Sequence, residues 1–341
     1  MTPDAIPLTP AGDWQAQLRA ALSDPDELAA ALDLDPGLFG DSAGAAAAFA
    51  LRVPRPFLAR MRRGDPGDPL LRQVMAAGAE LQPAAGFTDD PVGEVAGANP
   101  RPGIVQKYSG RALLLVAGGC AVNCRYCFRR HFPYGDNALG RGERDEALAW
   151  LADQADLEEL ILSGGDPLLA GDGYLAELVD ALARLPRLKT LRVHTRLPVV
   201  IPDRVTPGLL DALDRDGLNS VVVLHANHGN EIDEAVRAAC ARLRARGVTL
   251  LNQAVLLAGV NDSADALAGL SDALWGAGVL PYYLHLLDPV HGAAHFDVSE
   301  DRARALVGEL ATRRPGYLVP RLVREVAGAA SKRELAPAYP R

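Results

Sequence analysis

The chain has 341 residues, of which 49% are hydrophobic, and it carries a formal net charge of −8. This composition is sufficient for a large buried core, and the acidic balance argues against a nucleic-acid-binding protein, which would present a basic face. No apolar run approaches the ~20 residues that a helix needs to span a bilayer, and no signal-peptide pattern opens the chain. We therefore expect a cytoplasmic protein that binds neither nucleic acid nor membranes.

Residues 1–95 lack strand-like alternation and are predicted to form a helical N-terminal segment. Leucines recur at helical spacing over residues 14–34, where Ser-Asp-Pro at 23–25 indicates a stop and a restart. Further short helices are predicted over residues 49–61 and 70–81.

A linker is predicted next, because glycine, proline and aspartate are frequent over residues 86–102. We assign residues 96–110 to the linker, 111–315 to a main α/β domain and 316–341 to a terminal strand segment. In the main domain, strands alternate with helices, which is typical of parallel sheets. Strands are predicted at 113–116, 160–162, 190–193, 220–224, 249–256 and 282–286, and helices at 143–154, 174–185, 207–214, 232–246, 265–275 and 300–313. Six strand–helix units are too few for a closed eight-stranded barrel, so we predict an open partial (β/α)6 barrel.

Polar motifs follow the predicted strands at their carboxyl ends. They lie at residues 120–127, 163–166, 194–196, 225–228, 252–253 and 288. Loops at that end of a parallel barrel converge on the barrel axis, where active sites are built. The order of these motifs therefore predicts an enzyme.

Three cysteines, Cys120, Cys124 and Cys127, follow the first strand with C-x3-C-x2-C spacing. Three thiolates in eight residues can hold three corners of a cubic iron–sulfur cluster and leave its fourth iron open. A structural zinc site is the alternative, with His131 as the fourth ligand. A disulfide would leave one of the three unpaired, and Cys240 is predicted to be a small core residue.

The motif, together with Arg125 and the pair Arg129-Arg130, resembles that of the lysine 2,3-aminomutase family of radical S-adenosylmethionine (SAM) enzymes. The resemblance extends from Lys107 to Lys332, and the distances between motifs are kept. It implies a radical SAM partial barrel with a [4Fe–4S] cluster, SAM and pyridoxal 5′-phosphate (PLP). Only nine residues follow Lys332, and this points to the family members that make (R)-β-lysine for elongation factor P.

The resemblance also implies roles for residues at the strand ends. In the family, a Gly-Gly-(Glu or Asp) motif contacts the methionyl amine of SAM, and Gly164, Gly165 and Asp166 match it; the alternative is an ordinary tight turn. His225 and Gln253 match further contacts to SAM. Glycines allow the backbone to approach a ligand closely, and a carboxylate accepts hydrogen bonds from an ammonium group.

Only three lysines occur in the chain, and Lys332 matches the catalytic family lysine that holds PLP as a Schiff base. Such a lysine must be able to lose its proton, which burial or a nearby cation favours. Lys107 and Arg111, predicted just before the first strand, match the two basic residues that bind the PLP phosphate. The family has arginine at the first of these positions, so Lys107 keeps the charge but loses bidentate geometry. Lys189 begins a strand at the end of the barrel opposite the site and is a poor rival for Lys332.

The substrate contacts implied by the resemblance are one cation and two carboxylates. Arg129 matches the arginine that pairs with the substrate carboxylate, a bidentate task that suits guanidinium. Asp288 and Glu325 match the carboxylates that hold the distal ammonium of lysine, although the family has aspartate at the second position. A surface salt bridge is the alternative role for Glu325. Apart from the zinc alternative for His131, supporting hydrogen bonds are the role predicted for the remaining polar side chains, Arg130, His131, His194, His285, His291 and His295.

These features predict an isomerase that converts L-α-lysine to (R)-β-lysine for the modification of elongation factor P. It would require a flavodoxin- or ferredoxin-type electron donor and would be linked to an elongation factor P lysyl ligase. One alternative is a free-standing lysine or glutamate 2,3-aminomutase of catabolism or osmolyte synthesis. A glutamate enzyme would not need two carboxylates around the distal group. The other alternative is a non-catalytic zinc-binding scaffold.

Overall fold

The structure is a computed structural model that describes residues 13–95, 99–137 and 141–340. Its N-terminal part consists of short helices joined by extended links. Aspartate side chains cap most of these helices; Asp24, for example, accepts the N–H of Asp26 at 2.7 Å, and Asp68 accepts that of Leu70 at 2.8 Å. The helices are α1 (Trp14–Arg19), α2 (Pro25–Ala31), α3 (Ser42–Ala48), α4 (Arg55–Leu58) and α5 (Pro69–Arg72).

The predicted stop and restart between α1 and α2 is confirmed, because they are separate helices. The prediction of a helix over residues 49–61 is wrong for most of its length. Val53 pairs with Leu22 in an antiparallel bridge, which holds the chain extended before α4. The alanine-rich helix α3 was not predicted.

The predicted helix over residues 70–81 is also too long. It ends with α5, and residues 78–81 form a separate 3₁₀ turn. The backbone carbonyl of Gln73 instead accepts the N–H of Arg125, at 2.9 Å, in the loop that carries the cysteines. A tertiary contact therefore replaces the continuation of the helix.

Nine strands form one sheet in which the spatial order follows the chain order. They are β1 (Ile104–Tyr108), β2 (Arg111–Ala117), β3 (Glu159–Gly164), β4 (Thr190–Thr195), β5 (Asn219–Leu224), β6 (Thr249–Val255), β7 (Leu280–His285), β8 (Arg321–Arg324) and β9 (Arg333–Glu334). Strands β2 to β8 are parallel, whereas β1 and β9 pair antiparallel at the two edges. No pairing joins β1 to β9 within the described ranges, so the predicted open barrel is confirmed.

Helices follow each parallel strand from β2 to β7, as predicted for six β/α units. They are α6 (Arg141–Ala152), α7 (Asp172–Ala183), α8 (Leu197–Val200), α9 (Pro207–Leu213), α10 (Glu234–Ala245), α11 (Ala264–Gly276) and α12 (Glu300–Arg313). Helices α8 and α9 share the connection between β4 and β5. Across the part of the chain that the structure describes, no helix is both long and apolar enough to cross a membrane.

Strand β1 lies within residues 96–110, which were predicted to be a linker. Lys107 therefore belongs to β1, and Arg111 is the first residue of β2, so the prediction that both precede the first strand is wrong. Ile104 and Val105 are fully buried, and this burial stabilises the hairpin that β1 forms with β2.

The two faces of the sheet differ in polarity because side chains alternate along a strand. On β4, Leu191 and Val193 pack in the main apolar core, whereas Arg192 and His194 lie on the other face. His285 of β7 lies close enough to affect the pKa of His194. The inner face of the open barrel therefore carries polar groups where the strand ends converge.

Candidate active site

The cysteine loop lies after β2, and the N-terminal segment anchors it. Arg125, inside the motif, is fully buried, and its Nε and Nη2 donate to the two oxygens of Glu80 at 2.8 and 2.7 Å. Its Nη1 donates to the carbonyl of Phe49 at 2.7 Å, and the Asn123 side chain donates to the carbonyl of Ala50 at 2.8 Å. A buried, bidentate ion pair thus fixes the loop against the N-terminal helices.

The three cysteines of the loop are free thiols in one electrostatic neighbourhood. Burial, together with repulsion from the thiolates of Cys127 and Cys124, raises the pKa of Cys120 well above its ordinary value. The same two causes, burial and the charge of Cys124, raise the pKa of Cys127 to about 11. Thiols in this state gain most from a bound cation, because a metal ion deprotonates its thiol ligands.

The three cysteine thiols are the right ligands for an iron–sulfur cluster, although they are not already arranged around a metal position. No three His, Cys, Asp or Glu side chains in the described ranges are arranged to hold a metal ion by themselves. Cys124 Sγ accepts a hydrogen bond from Arg196 Nη1 at 2.7 Å, as thiolate ligands of such clusters do. The zinc alternative gains no support from His131, whose Nε2 lies 3.6 Å from Asp89 on the exposed surface.

The glycines after β3 allow that loop to lie directly against the cysteine loop. Gly164 has a φ of +122°, and a Cβ added there would lie 2.4 Å from the carbonyl oxygen of Ala117. A Cβ on Gly165 would lie 2.0 Å from the carbonyl oxygen of Gly119. The Gly165 N–H instead donates to Ala117 O at 2.7 Å. Close backbone packing thus requires both glycines here, and their contact with SAM stays a prediction.

Asp166 is fully engaged by its own chain. One oxygen accepts the hydroxyl of Thr195 at 2.7 Å, and the other accepts the backbone N–H groups of Arg196 and Leu197 at 2.8 and 2.9 Å. The N–H of Leu168 adds a bond of 3.0 Å. Asp166 therefore ties the end of β3 to the end of β4, and its predicted role toward SAM stays a prediction.

His225 and Gln253 lie together behind the cysteine loop. The His225 ring hydrogen-bonds to the backbone of Gln253, and its Nε2 lies 2.8 Å from the hydroxyl of Tyr126. Burial and the charge of Arg196 lower the pKa of His225 to about 3, so the imidazole is neutral at physiological pH. A neutral ring offers one donor and one acceptor, which suits a hydrogen-bonding role rather than a charged one.

Glu94 is a site residue that sequence analysis missed. Its carboxylate accepts two bonds from Arg129, at 2.6 Å from Nε and 3.0 Å from Nη2. Arg129 Nη1 donates to Ser163 Oγ and Gly164 O at 3.0 and 3.2 Å, so four of its five N–H groups can be engaged. Burial opposes ionisation of Glu94, but Arg129 and then Lys107 outweigh it and lower the pKa to about 2. This ion pair is therefore charged across the physiological range.

Lys107 joins two carboxylates of the site. Its Nζ lies 3.1 Å from Glu94 Oε1 and 3.9 Å from Glu325 Oε1, and it donates to the carbonyl of Val92 at 3.3 Å. The structure thus brings together the predicted phosphate-binding lysine and the predicted substrate carboxylate, which are more than 200 positions apart in the sequence.

Glu325 is partly buried and contacts Lys332. One of its oxygens pairs with Lys332 Nζ, and the other accepts the hydroxyl of Tyr108 at 2.5 Å. Burial opposes its ionisation, but Lys332 and the hydrogen bonds lower its pKa below the ordinary value. The alternative role as a surface salt bridge therefore does not fit its position. Tyr108 was not predicted as a site residue.

Asp288 lies close enough to Glu325, Lys332 and Lys107 for their charges to change its pKa. Burial and the charge of Glu325 raise its pKa to about 7, while Lys332 and Lys107 act in the opposite direction. Two carboxylates that repel one another in a buried site favour a ligand that brings a positive charge. The predicted pair Asp288 and Glu325 is thus placed together beside Lys332.

The side chains that were predicted to have supporting roles lie in several places around the site. Arg130 shares Glu80 with Arg125, at 2.9 Å, and His291 Nδ1 lies 2.8 Å from Asp89. His194 and His285 are partly buried near Lys332, and the loss of solvation lowers the pKa of both well below the ordinary value. Burial also lowers the pKa of His295, whose ring contacts that of Phe296 in a tilted arrangement.

Two buried nitrogen atoms without partners fit an additional anionic group in the barrel. Within the described ranges, His194 Nε2 and Arg111 Nε have no hydrogen-bond acceptor or donor. The Arg111 guanidinium stacks on the Tyr108 ring at 4.7 Å, beside the carboxylate that holds Lys332. Buried polar groups are normally paired, so these two atoms are free to pair with a bound ligand. An anionic aldehyde cofactor such as PLP would supply such a partner, and the roles of Lys332, Lys107 and Arg111 in holding it stay predictions.

Comparisons with known proteins give a consistent result. The Radical SAM superfamily profile matches residues 114–269. An L-lysine 2,3-aminomutase of Escherichia coli is 52% identical over 326 residues, which cover 95% of this chain and 94% of that protein. The Haemophilus influenzae protein of the same name is 49% identical and covers 94% of each chain. The Clostridium subterminale protein of that name is 32% identical over 96% of this chain and 78% of its own length.

Proposed function

Because the chain belongs to the lysine 2,3-aminomutase family of radical SAM enzymes, we propose that it converts L-α-lysine to (R)-β-lysine for the modification of elongation factor P. Membership of this family makes the chain an isomerase and implies a [4Fe–4S] cluster, SAM and PLP as its cofactors. When bound, the cluster and SAM supply one-electron chemistry for hydrogen-atom transfer, and PLP supplies a carbonyl group that takes up an amine. The protein's residues supply binding, orientation and exclusion of water.

The observation that carries the choice of lysine is the pair Asp288 and Glu325 beside Lys332. A distal ammonium group between these carboxylates would offset both the burial and the repulsion from Glu325 that raise the pKa of Asp288. A distal carboxylate, as in glutamate, would add a third negative charge to the same buried place. The pair therefore supports a diamino acid as substrate and counts against the glutamate alternative.

Arg129 has the task of binding the substrate carboxylate in this proposal. Glu94 already engages its Nε and Nη2, and Ser163 and Gly164 take its Nη1. A substrate carboxylate must therefore share the guanidinium with Glu94 or displace one of these partners. Lysine held between Arg129 and the two distal carboxylates would have its reacting carbons in a fixed position. Such positioning is the main contribution that a rigid protein makes to the reaction.

The pH dependence of catalysis tests the role of Asp288. The side chain is neutral below its raised pKa of about 7 and anionic above it, and only the anion pairs with ammonium. We expect kcat/KM for lysine to rise with pH at 7 or above, because this parameter reports ionisations of the free enzyme and attachment of PLP to Lys332 removes a charge that lowers the pKa of Asp288. In Asp288→Asn the rise should disappear and KM for lysine should increase about 10- to 100-fold, with SAM binding unchanged. An unchanged pH profile in the variant would assign the ionisation to another group.

Incubation of the anaerobically reduced protein with lysine, SAM and PLP tests the function itself. We expect β-lysine as the product and no conversion of glutamate. Conversion of glutamate would support the alternative substrate, and zinc without sulfide in the purified protein would support the scaffold. The cellular part of the proposal predicts that elongation factor P loses its β-lysyl group when the gene is deleted. If that group persists, the enzyme is free-standing.

The proposal includes two further partners and a location. A flavodoxin- or ferredoxin-type donor would reduce the cluster, and an elongation factor P lysyl ligase would use the product. Both partners, and the cytoplasmic location, stay predictions.

A further inference from the structure

Arg196, at the end of β4, points its guanidinium at the cysteine loop. We propose that Arg196 is a positioning residue that orients Cys124 and raises the reduction potential of the cluster. The inference rests on the cluster of the proposed function and adds a residue that controls its redox behaviour. The observation behind it is that the buried guanidinium of Arg196 contacts the sulfur of Cys124, a predicted cluster ligand.

The guanidinium has four partners and a fixed orientation. Its Nη1 donates to Cys124 Sγ at 2.7 Å and to the hydroxyl of Tyr126 at 2.8 Å. Its Nη2 donates to Gln73 Oε1 at 2.7 Å and to Glu231 Oε2 at 2.9 Å. The residue is only 6% exposed. Because both Nη1 and Nη2 of the planar guanidinium are hydrogen-bonded, one N–H group stays directed at the sulfur.

The partners of Arg196 are themselves held by the fold. Glu231 Oε1 accepts the backbone N–H groups of Asn227 and His228 at 2.8 and 3.0 Å, and the side chain of Gln73 at 3.0 Å. The backbone N–H of Arg196 donates to Asp166 at 2.8 Å. Gln73 belongs to the N-terminal segment, so that segment contributes to holding the cation in place. The arrangement is a built polar network rather than a mobile surface contact.

The sign of the effect follows from electrostatics. A reduced cluster carries one more negative charge than an oxidised one, so a nearby N–H donor and positive charge stabilise the reduced state more. Hydrogen bonds to the sulfurs and local charge are among the factors that set cluster potentials. Glu231 offsets part of the positive charge, but it contacts Nη2, whereas Nη1 contacts the sulfur. Removal of Arg196 should therefore lower the potential, and neutralisation of Glu231 should raise it.

The test compares Arg196→Met and Glu231→Gln with the unaltered, anaerobically reconstituted protein. Iron and sulfide are measured per chain, and the midpoint potential is measured by a redox titration followed by electron paramagnetic resonance. We expect Arg196→Met to lower the potential by at least the ~59 mV that equals a tenfold change for one electron, and Glu231→Gln to raise it. Arg204→Met is a matched control, because Arg204 is equally buried but pairs with Asp172.

The outcomes separate this inference from the proposed function. Opposite shifts in the two variants, with no shift in the control, support the role of Arg196. An unchanged potential in Arg196→Met with full iron content overturns it. If Arg196→Met fails to assemble a cluster, Glu231→Gln decides, and a potential that stays or falls overturns the inference. An unaltered protein that assembles no cluster overturns the proposed function itself.

Discussion

Replacement of any one of Cys120, Cys124 and Cys127 with alanine is expected to abolish cluster assembly and all aminomutase activity. Each thiolate holds one iron of the four, so two remaining thiolates leave two irons without a protein ligand. Burial raises the pKa of Cys120 and Cys127 in the free protein. Without the positive charge of the metal, the remaining thiols therefore stay protonated and bind iron poorly.

The measurement is iron and acid-labile sulfide per chain, with the visible absorbance of the anaerobically reconstituted protein. Cys240→Ala is the matched control, because Cys240 is buried in the apolar core on α10. We expect the control to keep full iron content and lose only packing contacts. Full iron in any of the three loop variants would contradict the cluster assignment.

The barrel could be predicted from the sequence because its strands and helices have local signals. Apolar runs of strand length alternate with helical patterns from residue 111 onward, and the parallel order follows from that alternation. The antiparallel edge strand β1 was missed, since its residues follow a stretch rich in glycine and proline. Pairing with β2, rather than local composition, makes it a strand.

The site could be predicted only in part, because its charge pairs join distant positions. Glu94 lies in the stretch at 86–102 that is rich in glycine, proline and aspartate, 35 positions before its partner Arg129. Tyr108 and Glu325 are 217 positions apart. No local pattern indicates such pairs, whereas the cysteine motif is visible because its three ligands lie within eight residues. The only sequence feature that could have indicated Glu94 is its position shortly before the two basic residues Lys107 and Arg111.

Lys332→Ala is expected to prevent covalent attachment of PLP and to abolish activity. Of the chain's three lysines, Lys332 makes the closest contact with the partly buried carboxylate of Glu325, since Lys107 Nζ lies 3.9 Å from it. Lys332 also lies near His194, whose Nε2 is unpaired. Glu325 can accept the proton that the amine must release before it reacts with an aldehyde. Lys107 is already held by Glu94 and the carbonyl of Val92.

Borohydride reduction of the PLP-loaded protein, followed by peptide mass spectrometry, locates the modified lysine independently of turnover. Lys189→Ala is the control, because Lys189 is exposed and pairs with Glu158 at 2.6 Å before β4. The label should persist in this control and be lost in Lys332→Ala, while the iron content of both variants stays unchanged. Label on Lys107 or Lys189 would move the reacting amine to that residue. In that case Glu325 and Lys332 would be a structural ion pair, and the placement of substrate between Asp288 and Glu325 would also fail.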